Sequence, residues 1–243
     1  MTAKTKSTFW SIIVPVYNEA KRIYNLDEIL KYLHGLEESW ELIVVNDGST
    51  DDTLKKLELF RKKSHFKLIS YETNRGKGFA VKTGMLAASG KFRLFCDIDL
   101  STPIEEMAKF KPFLRKADLV IGTRKLKGAN VIVHQSFLRE YLGKGFTRLS
   151  QLVLNTWVSD FTCGFKCFSQ AASERIFGKT RIFRWGFDAE VLFLARKYNL
   201  RIKEVPVVWE NDPQTRVRFP RDLIKSFGEL LAIRYYDSIE DSY

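Results

Sequence analysis

F-R-L-F-C-D-I-D-L-S-T-P, residues 92–103, decides how the rest of the chain reads. Phe92, Leu94, Phe95 and Cys96 predict a strand buried on both faces, which would deliver Asp97 and Asp99 to its carboxyl end. In an open α/β sheet that end is where ligands bind. Two hard oxygen donors one residue apart suit Mg²⁺ or Mn²⁺, and an ion held there is charge-matched to a diphosphate. A solvated turn after a strand also favours Asp, so D-x-D alone leaves both readings open. The neighbouring segments discriminate between them.

Toward the N-terminus the pattern of strand followed by polar turn recurs. Trp10 to Val16 is an apolar, β-branched run followed by Tyr17-Asn18-Glu19, and Trp40 to Val45 stops at Asn46-Asp47-Gly48-Ser49. Between them Ile23, Leu26, Ile29 or Leu30, and Leu33 repeat at helical spacing, predicting a helix over 20–36. Ser49, Thr50 or Asp51 can cap a helix through Phe60, and Lys67 to Tyr71 is a third strand. Asn74-Arg75-Gly76-Lys77-Gly78 then leads into a helix over 79–88. Such alternation predicts an α/β fold with an open, mostly parallel sheet and helices on both faces. Glu19, Asp47, Asp97 and Asp99 would share one rim, and that much like charge requires a cation or a set of donors to offset it.

Toward the C-terminus the pattern predicts a helix over 104–114, a strand over 117–121 closing at Gly122-Thr123-Arg124, and a basic loop over 125–130. Phe137 to Val158 carries Leu138, Tyr141, Leu142, Leu149, Leu152 and Val153 on one face, with Arg139, Lys144 and Arg148 elsewhere. This is a basic amphipathic helix, with a break expected near Gly143 and Gly145. It reads either as a helix packed on the sheet or as a membrane-surface element. A loop and short strand over 160–168 precede a helix over 170–177, and Arg184-Trp185-Gly186-Phe187-Asp188-Ala189-Glu190 opens another through Tyr198. A last strand over 202–209, a polar loop containing Arg216 and Arg218, and a helix from Pro220 complete the chain.

The 243 residues suffice for one large α/β domain, and 45% hydrophobic with 14% aromatic residues supplies its core. A net charge of +11 points to an anionic partner: nucleic acid, an acidic membrane surface or a phosphorylated substrate. The basic residues are dispersed and match no nucleic-acid motif, so nucleic acid is not the expected partner. Cys96, Cys163 and Cys167 make no even disulfide framework, and no second Cys/His pair extends Cys163-x-x-x-Cys167 to a zinc site. No apolar h-region follows the basic start and no window has the roughly 18 apolar residues a span needs, so any membrane association is expected to be peripheral.

The motifs, taken in order, resemble the family 2 glycosyltransferases, and within them the polyprenyl-phosphate sugar transferases, the dolichyl-phosphate mannose and glucose synthases. They are V-P-V-Y-N-E at 14–19, V-N-D-G-S-T-D-x-T at 45–53, N-x-G-K-G at 74–78, D-x-D-L-x-x-P at 97–103, G-T-R at 122–124, G-F-K at 164–166 and F-D-x-E at 187–190. The resemblance implies a GT-A fold in a single domain over 1–243, with a nucleotide-sugar-binding half over 1–122, an acceptor-binding half over 123–219 and a C-terminal helix over 220–243. It implies that Pro15, Tyr17 and Glu19 line the nucleotide pocket, that Asp47 meets the base, that Lys77 joins the nucleotide-binding set, and that Asp97 and Asp99 frame the metal. Arg124 and Arg139 match the two arginines for an acceptor phosphate, and Arg216 falls where a lysine usually approaches the diphosphate from a closing loop. S-T-P after the carboxylates and R-W-G-F-D-A-E look more like the glucosyltransferases, which implies UDP-glucose over GDP-mannose. The family often carries membrane helices, and this chain departs from it there; the expected place is the cytoplasmic face of a membrane, held peripherally at an anionic surface.

The residues suit this chemistry independently. A lipid monophosphate, with a second pKa near about 6, is already a dianionic nucleophile and needs no strong base. Paired arginines bind such a group bidentately. A hydroxyl acceptor would instead need a base, and Asp188 is the candidate, its other reading being a carboxylate placed at a helix N-terminus. The nearest rival is therefore the same fold transferring sugar to a glycan hydroxyl; a nucleic-acid-binding module and a silent homologue stand further off.

Overall fold

The computed structural model describes residues 7–133, 137–210 and 221–240. Among them nine strands occur: β1 (Trp10–Val16), β2 (Trp40–Asp47), β3 (Lys67–Tyr71), β4 (Phe92–Cys96), β5 (Leu119–Thr123), β6 (Asn130–Val133), β7 (Phe165–Ser169), β8 (Ile202–Pro206) and β9 (Val208–Glu210). The helices are α1 (Asn25–His34), α2 (Thr53–Arg61), α3 (Lys77–Ala87), α4 (Phe137–Leu154), α5 (Gln170–Phe177), α6 (Phe187–Lys197) and α7 (Arg221–Glu240), with a 3₁₀ segment over Ile104–Phe113. Seven strands form one sheet in the order β3-β2-β1-β4-β7-β5-β8. All its pairings are parallel except those of β7, which runs antiparallel between β4 and β5.

Both faces of this sheet are covered, which is why its central strands are apolar without alternation. Ile12, Val14, Leu94 and Cys96 pack toward Leu26, Ile29 and Leu33 of α1 and Phe110 of the 3₁₀ segment. Ile13 and Phe95, one residue out of phase, pack on the other side with Val81 and Met85 of α3, Ile176 of α5, Val191 of α6 and Leu230 of α7. Each such side chain stabilises the fold by about 1.5–3 kcal/mol relative to exposure. The layers leave the carboxyl ends of β1, β2 and β4 pointing to one rim.

Four expectations are corrected. The helix expected over 20–36 begins only at Asn25, because Glu19 commits its carbonyl to Arg22 N–H (2.8 Å) and its carboxylate to the Arg22 side chain (2.8 Å), winding 20–24 into turns. The 104–114 helix is 3₁₀ and contains Pro112, which lacks the N–H an α-helical turn would use. The strand expected over 202–209 breaks after Pro206, and β9 leaves the main sheet to pair with β6. No break occurs in α4 at Gly143 or Gly145; the helix is continuous to Leu154. Among the described residues no helix is long and apolar enough to cross a membrane.

Candidate active site

The rim carboxylates are offset one by one. Glu19 pairs with Arg22, and Asp47 accepts the backbone N–H groups of Arg75 (2.8 Å) and Gly76 (2.9 Å) and the Asn74 side-chain amide (2.8 Å). Asp97 meets the Lys77 ammonium at 2.6 Å. Asp99 is the exception: it accepts the Ser101 N–H at 2.9 Å and forms no ion pair with a described residue. Burial and the charge of Asp97 raise its carboxyl, against the Ser101 hydrogen bond and Lys77. Burial alone would pull Lys77 down, but Asp97, Asp188 and Asp99 outweigh it and hold the ammonium above the ordinary lysine value.

Two carboxylates a residue apart, one of them in no ion pair among the described residues, fit a divalent ion of the hard-oxygen class. Among the described residues no third His, Cys, Asp or Glu joins them to make a protein cage. Mg²⁺ at a diphosphate usually takes one or two carboxylates and completes its shell with phosphate oxygens and water.

Across the rim, β7 and α6 bring a second charged layer. Lys166 is fully buried, and its ammonium donates to Asp188 Oδ1 (2.5 Å) and to the carbonyls of Phe161 (3.0 Å) and Cys163 (2.6 Å). The loop so pinned contains Gly164, where any Cβ would collide with the Asp97 carboxylate. Burial raises the Asp188 carboxyl, with the charges of Lys166 and Lys77 pulling the other way. Lys166 therefore links the loop to the helix end that carries Asp188.

Arg124, at the end of β5, lays its guanidinium fork on Asp160, Nε to Oδ2 at 2.7 Å and Nη2 to Oδ1 at 2.8 Å, and over the Trp209 ring at 5.2 Å. Burial would raise the Asp160 carboxyl, yet the charge and hydrogen bonds of Arg124 hold it well below the usual carboxylate range. Next to it Lys125 reaches Thr147 of α4 at 2.5 Å. Burial, offset in part by Asp160, and then the neighbouring Arg124 and Lys144 hold the Lys125 ammonium below the ordinary value.

Pro15 is buried in β1 and Tyr17 stands exposed just after it. Arg139 lies in the first turn of α4, its side chain outside the described residues; Arg216 lies outside them altogether. The structure brings Lys77, Asp97, Asp99 and Asp188 together, and places Arg124 with Asp160, Lys125 and Trp209. Sequence reasoning missed Lys166 as a site residue, Asp160 and Asn25, whose amide donates to the Ile98 carbonyl between the two carboxylates at 2.8 Å. The G-F-K motif at 164–166 was the available signal for Lys166; Asn25 and Asp160 carried none.

The pattern describing glycosyl transferase family 2 matches residues 11–177, which hold β1 to β5, β7, both carboxylates and Arg124. The chain belongs to glycosyl transferase family 2. Relatives in the family include a dolichyl-phosphate beta-glucosyltransferase of Dictyostelium discoideum, 35% identical over 248 residues covering 93% of this chain and 76% of that protein. The enzyme of that name from Saccharomyces cerevisiae is 31% identical over 247 residues, covering 93% and 74%. The family's GT-A fold is also that of the glucosyl-3-phosphoglycerate synthase of Mycobacterium tuberculosis in complex with Mn²⁺, UDP and glucosyl-3-phosphoglycerate (TM-score 0.67, 21% identity, 93% of this chain and 78% of that one). It is shared by a mannosyltransferase of Pyrobaculum calidifontis in complex with GDP-Man and Mn²⁺ (TM-score 0.63, 20% identity, covering 97% and 65%).

Proposed function

We propose that this family 2 transferase moves glucose from UDP-glucose to a polyprenyl phosphate of the dolichyl type, with inversion at the sugar. The observation that carries the reading is the Asp97–Asp99 pair at the end of β4, with Asp99 in no ion pair among the described residues, in a chain more than 30% identical to dolichyl-phosphate beta-glucosyltransferases over nine-tenths of its length. Residues 1–122 form the donor half and 123–219 the acceptor half. Pro15, Tyr17 and Glu19 line the nucleotide pocket. Asp47, held by Asn74, Arg75 and Gly76 at the end of β2, is the residue assigned to the base.

Asp97 and Asp99 would hold Mg²⁺ or Mn²⁺, which supplies neutralisation of the leaving diphosphate. Lys77 adds a fixed positive charge beside them. The acceptor phosphate is a dianion without assistance, so the protein must position it rather than deprotonate it. Lys125 and the Arg124 edge not turned to Asp160 supply cations for that phosphate; the family resemblance adds Arg139 to the acceptor set and Arg216 to the diphosphate set, on sequence position alone. Asp188, tied to Lys166, orients Lys77 and the Gly164 loop around Asp97.

A lipid acceptor places its phosphate at headgroup level, and α4 fits that setting. Thr147, Ser150, Gln151 and Leu154 are its buried face, while Tyr141 (67% exposed), Lys144, Arg148 and Leu152 (69% exposed) follow one another along the outer one. Aromatic, aliphatic and basic groups on one exposed stripe suit an anionic lipid surface at the cytoplasmic side, bound peripherally. A screen of UDP- and GDP-sugars, each with Mg²⁺ or Mn²⁺, against a polyprenyl phosphate tests the proposal. Transfer of glucose from UDP-glucose supports it; transfer from GDP-mannose alone would replace the sugar, and transfer only to a glycan hydroxyl would replace the reaction.

A further inference from the structure

An α-helix leaves its first N–H groups without intrahelical partners, and α6 begins next to the chemistry, with Asp188 in its first turn. Its N-cap residue is Gly186, which has no side chain with which to cap it. The N–H of Gly186 itself finds its acceptor in the C-terminal helix. Gly186 N–H donates to Glu229 Oε2 of α7 at 2.6 Å. The approach leaves no slack: a Cβ on Gly186 would lie 2.8 Å from the Glu229 Cβ and 2.9 Å from Oε2. Glu229 sits on the inner face of α7, beside buried Ser226, Leu230 and Ile233, while Phe227, Leu231 and Tyr235 are exposed.

The segment that Glu229 anchors touches the site in both directions. On one side the Phe183 carbonyl accepts Gly78 N–H at 2.9 Å, at the start of α3, and the Arg184 side chain lies against Gly76. On the other, Asp188 accepts from Lys166, and its charge acts on the Lys77 ammonium that holds Asp97.

We infer that Glu229 is a positioning residue for the transfer reaction, fixing the start of α6, and with it Asp188, Lys166 and Lys77 around Asp97, by accepting the Gly186 N–H from α7. The inference rests on the transferase reading above. Burial raises the Glu229 carboxyl, and the Gly186 bond and the charges of Arg184 and Lys225 oppose that rise, consistent with an acceptor withdrawn from solvent for this contact.

Two variants and two readouts test it. Glu229→Gln keeps an acceptor oxygen of nearly the same shape, and Glu229→Ala removes it. With UDP-glucose and polyprenyl phosphate, kcat should fall roughly 10- to 100-fold in the Ala variant, the range for a displaced catalytic group. Both KM values should change much less, and Gln should restore kcat to near wild type. A purely structural contact would instead lower the melting temperature of the Ala variant and leave kcat of the folded protein intact, which overturns the inference; so would a Gln variant as slow as Ala. The second readout needs no substrate: amide hydrogen exchange over 186–190 should be faster in Glu229→Ala than in wild type while α3 and β4 stay protected. Unchanged exchange there overturns the inference. Faster exchange with no transfer by the wild type upholds the anchor and places the failure in the choice of substrates.

Discussion

At Asp99 function and stability pull apart. Its carboxyl is raised by burial and by Asp97, so the folded protein binds this proton more tightly than the unfolded chain does. A raised folded value contributes stability that is present at low pH and lost as the pH rises through it. Asp99→Asn removes the unfavourable charge. Without ligand at about pH 8, it should melt higher than wild type, while kcat/KM at saturating metal drops by about a hundredfold or more, the magnitude for removing one charge-stabilising group. Undiminished turnover in that variant would remove the carboxylate from the reaction. Arg124→Ala should behave differently: it leaves the fully buried Asp160 without its cation, and breaking a buried pair costs about 3–5 kcal/mol. Denaturant unfolding checks this, and loss of acceptor use at unchanged stability would mean that Asp160 is not the principal partner. The two carboxylates were legible because strand and donors are adjacent in sequence. Asp160 was not, because its partner stands 36 residues away and nothing local marks a loop aspartate as buried.

Among the elements, α4 shows what periodicity can and cannot tell. Its helical repeat was plain, but the expected apolar face divides: Leu149 and Val153 pack on the core, while Tyr141 and Leu152 stand exposed beside Lys144 and Arg148, which the pattern had put elsewhere. The structure turns Thr147, Ser150 and Gln151 inward, with Ser150 Oγ and Gln151 Oε1 buried and without a hydrogen-bond partner among the described residues, and leaves Tyr141 and Leu152 outside. With about 1 kcal/mol per basic residue near an anionic surface, the protein should sediment with anionic vesicles at low salt and release at high salt. A Lys144→Glu, Arg148→Glu double variant should bind at least about tenfold more weakly. A wild type that stays in the supernatant with every vesicle would make α4 a structural helix only. In α6, burial lifts Glu190 to about 7, against hydrogen bonds from the Ile182 and Arg181 N–H groups. Its stabilisation is complete below the unfolded carboxyl value and is lost as the pH climbs through about 7. Glu190→Gln should lack that step in stability measured between about pH 5 and 9, and an identical pH profile would show that Glu190 is not the group that titrates.

Over the whole molecule, the N-terminal half of the sheet was legible because each strand is local, doubly buried and closed by its own polar turn. The second half was less so: β7 runs antiparallel between two parallel neighbours, and β6 with β9 forms a pair 78 residues apart in register, from Asn130 to Val208. Pairings of that span leave no signature in a single strand's pattern. They matter here because β9 brings Trp209 to Arg124 and its Glu210 N–H to the Ser101 carbonyl (2.8 Å) just past Asp99. The central claim is that the nucleophile is a phosphate, positioned by cations and needing no protein base. The most direct test compares a polyprenyl phosphate with the corresponding polyprenol, identical except that the latter presents a hydroxyl, as acceptors of labelled glucose from UDP-glucose with Mg²⁺ or Mn²⁺. Label in the phosphate lipid alone, lost on chelation of the metal, is the predicted result; equal transfer to the alcohol, or transfer only to a glycan hydroxyl, would contradict it.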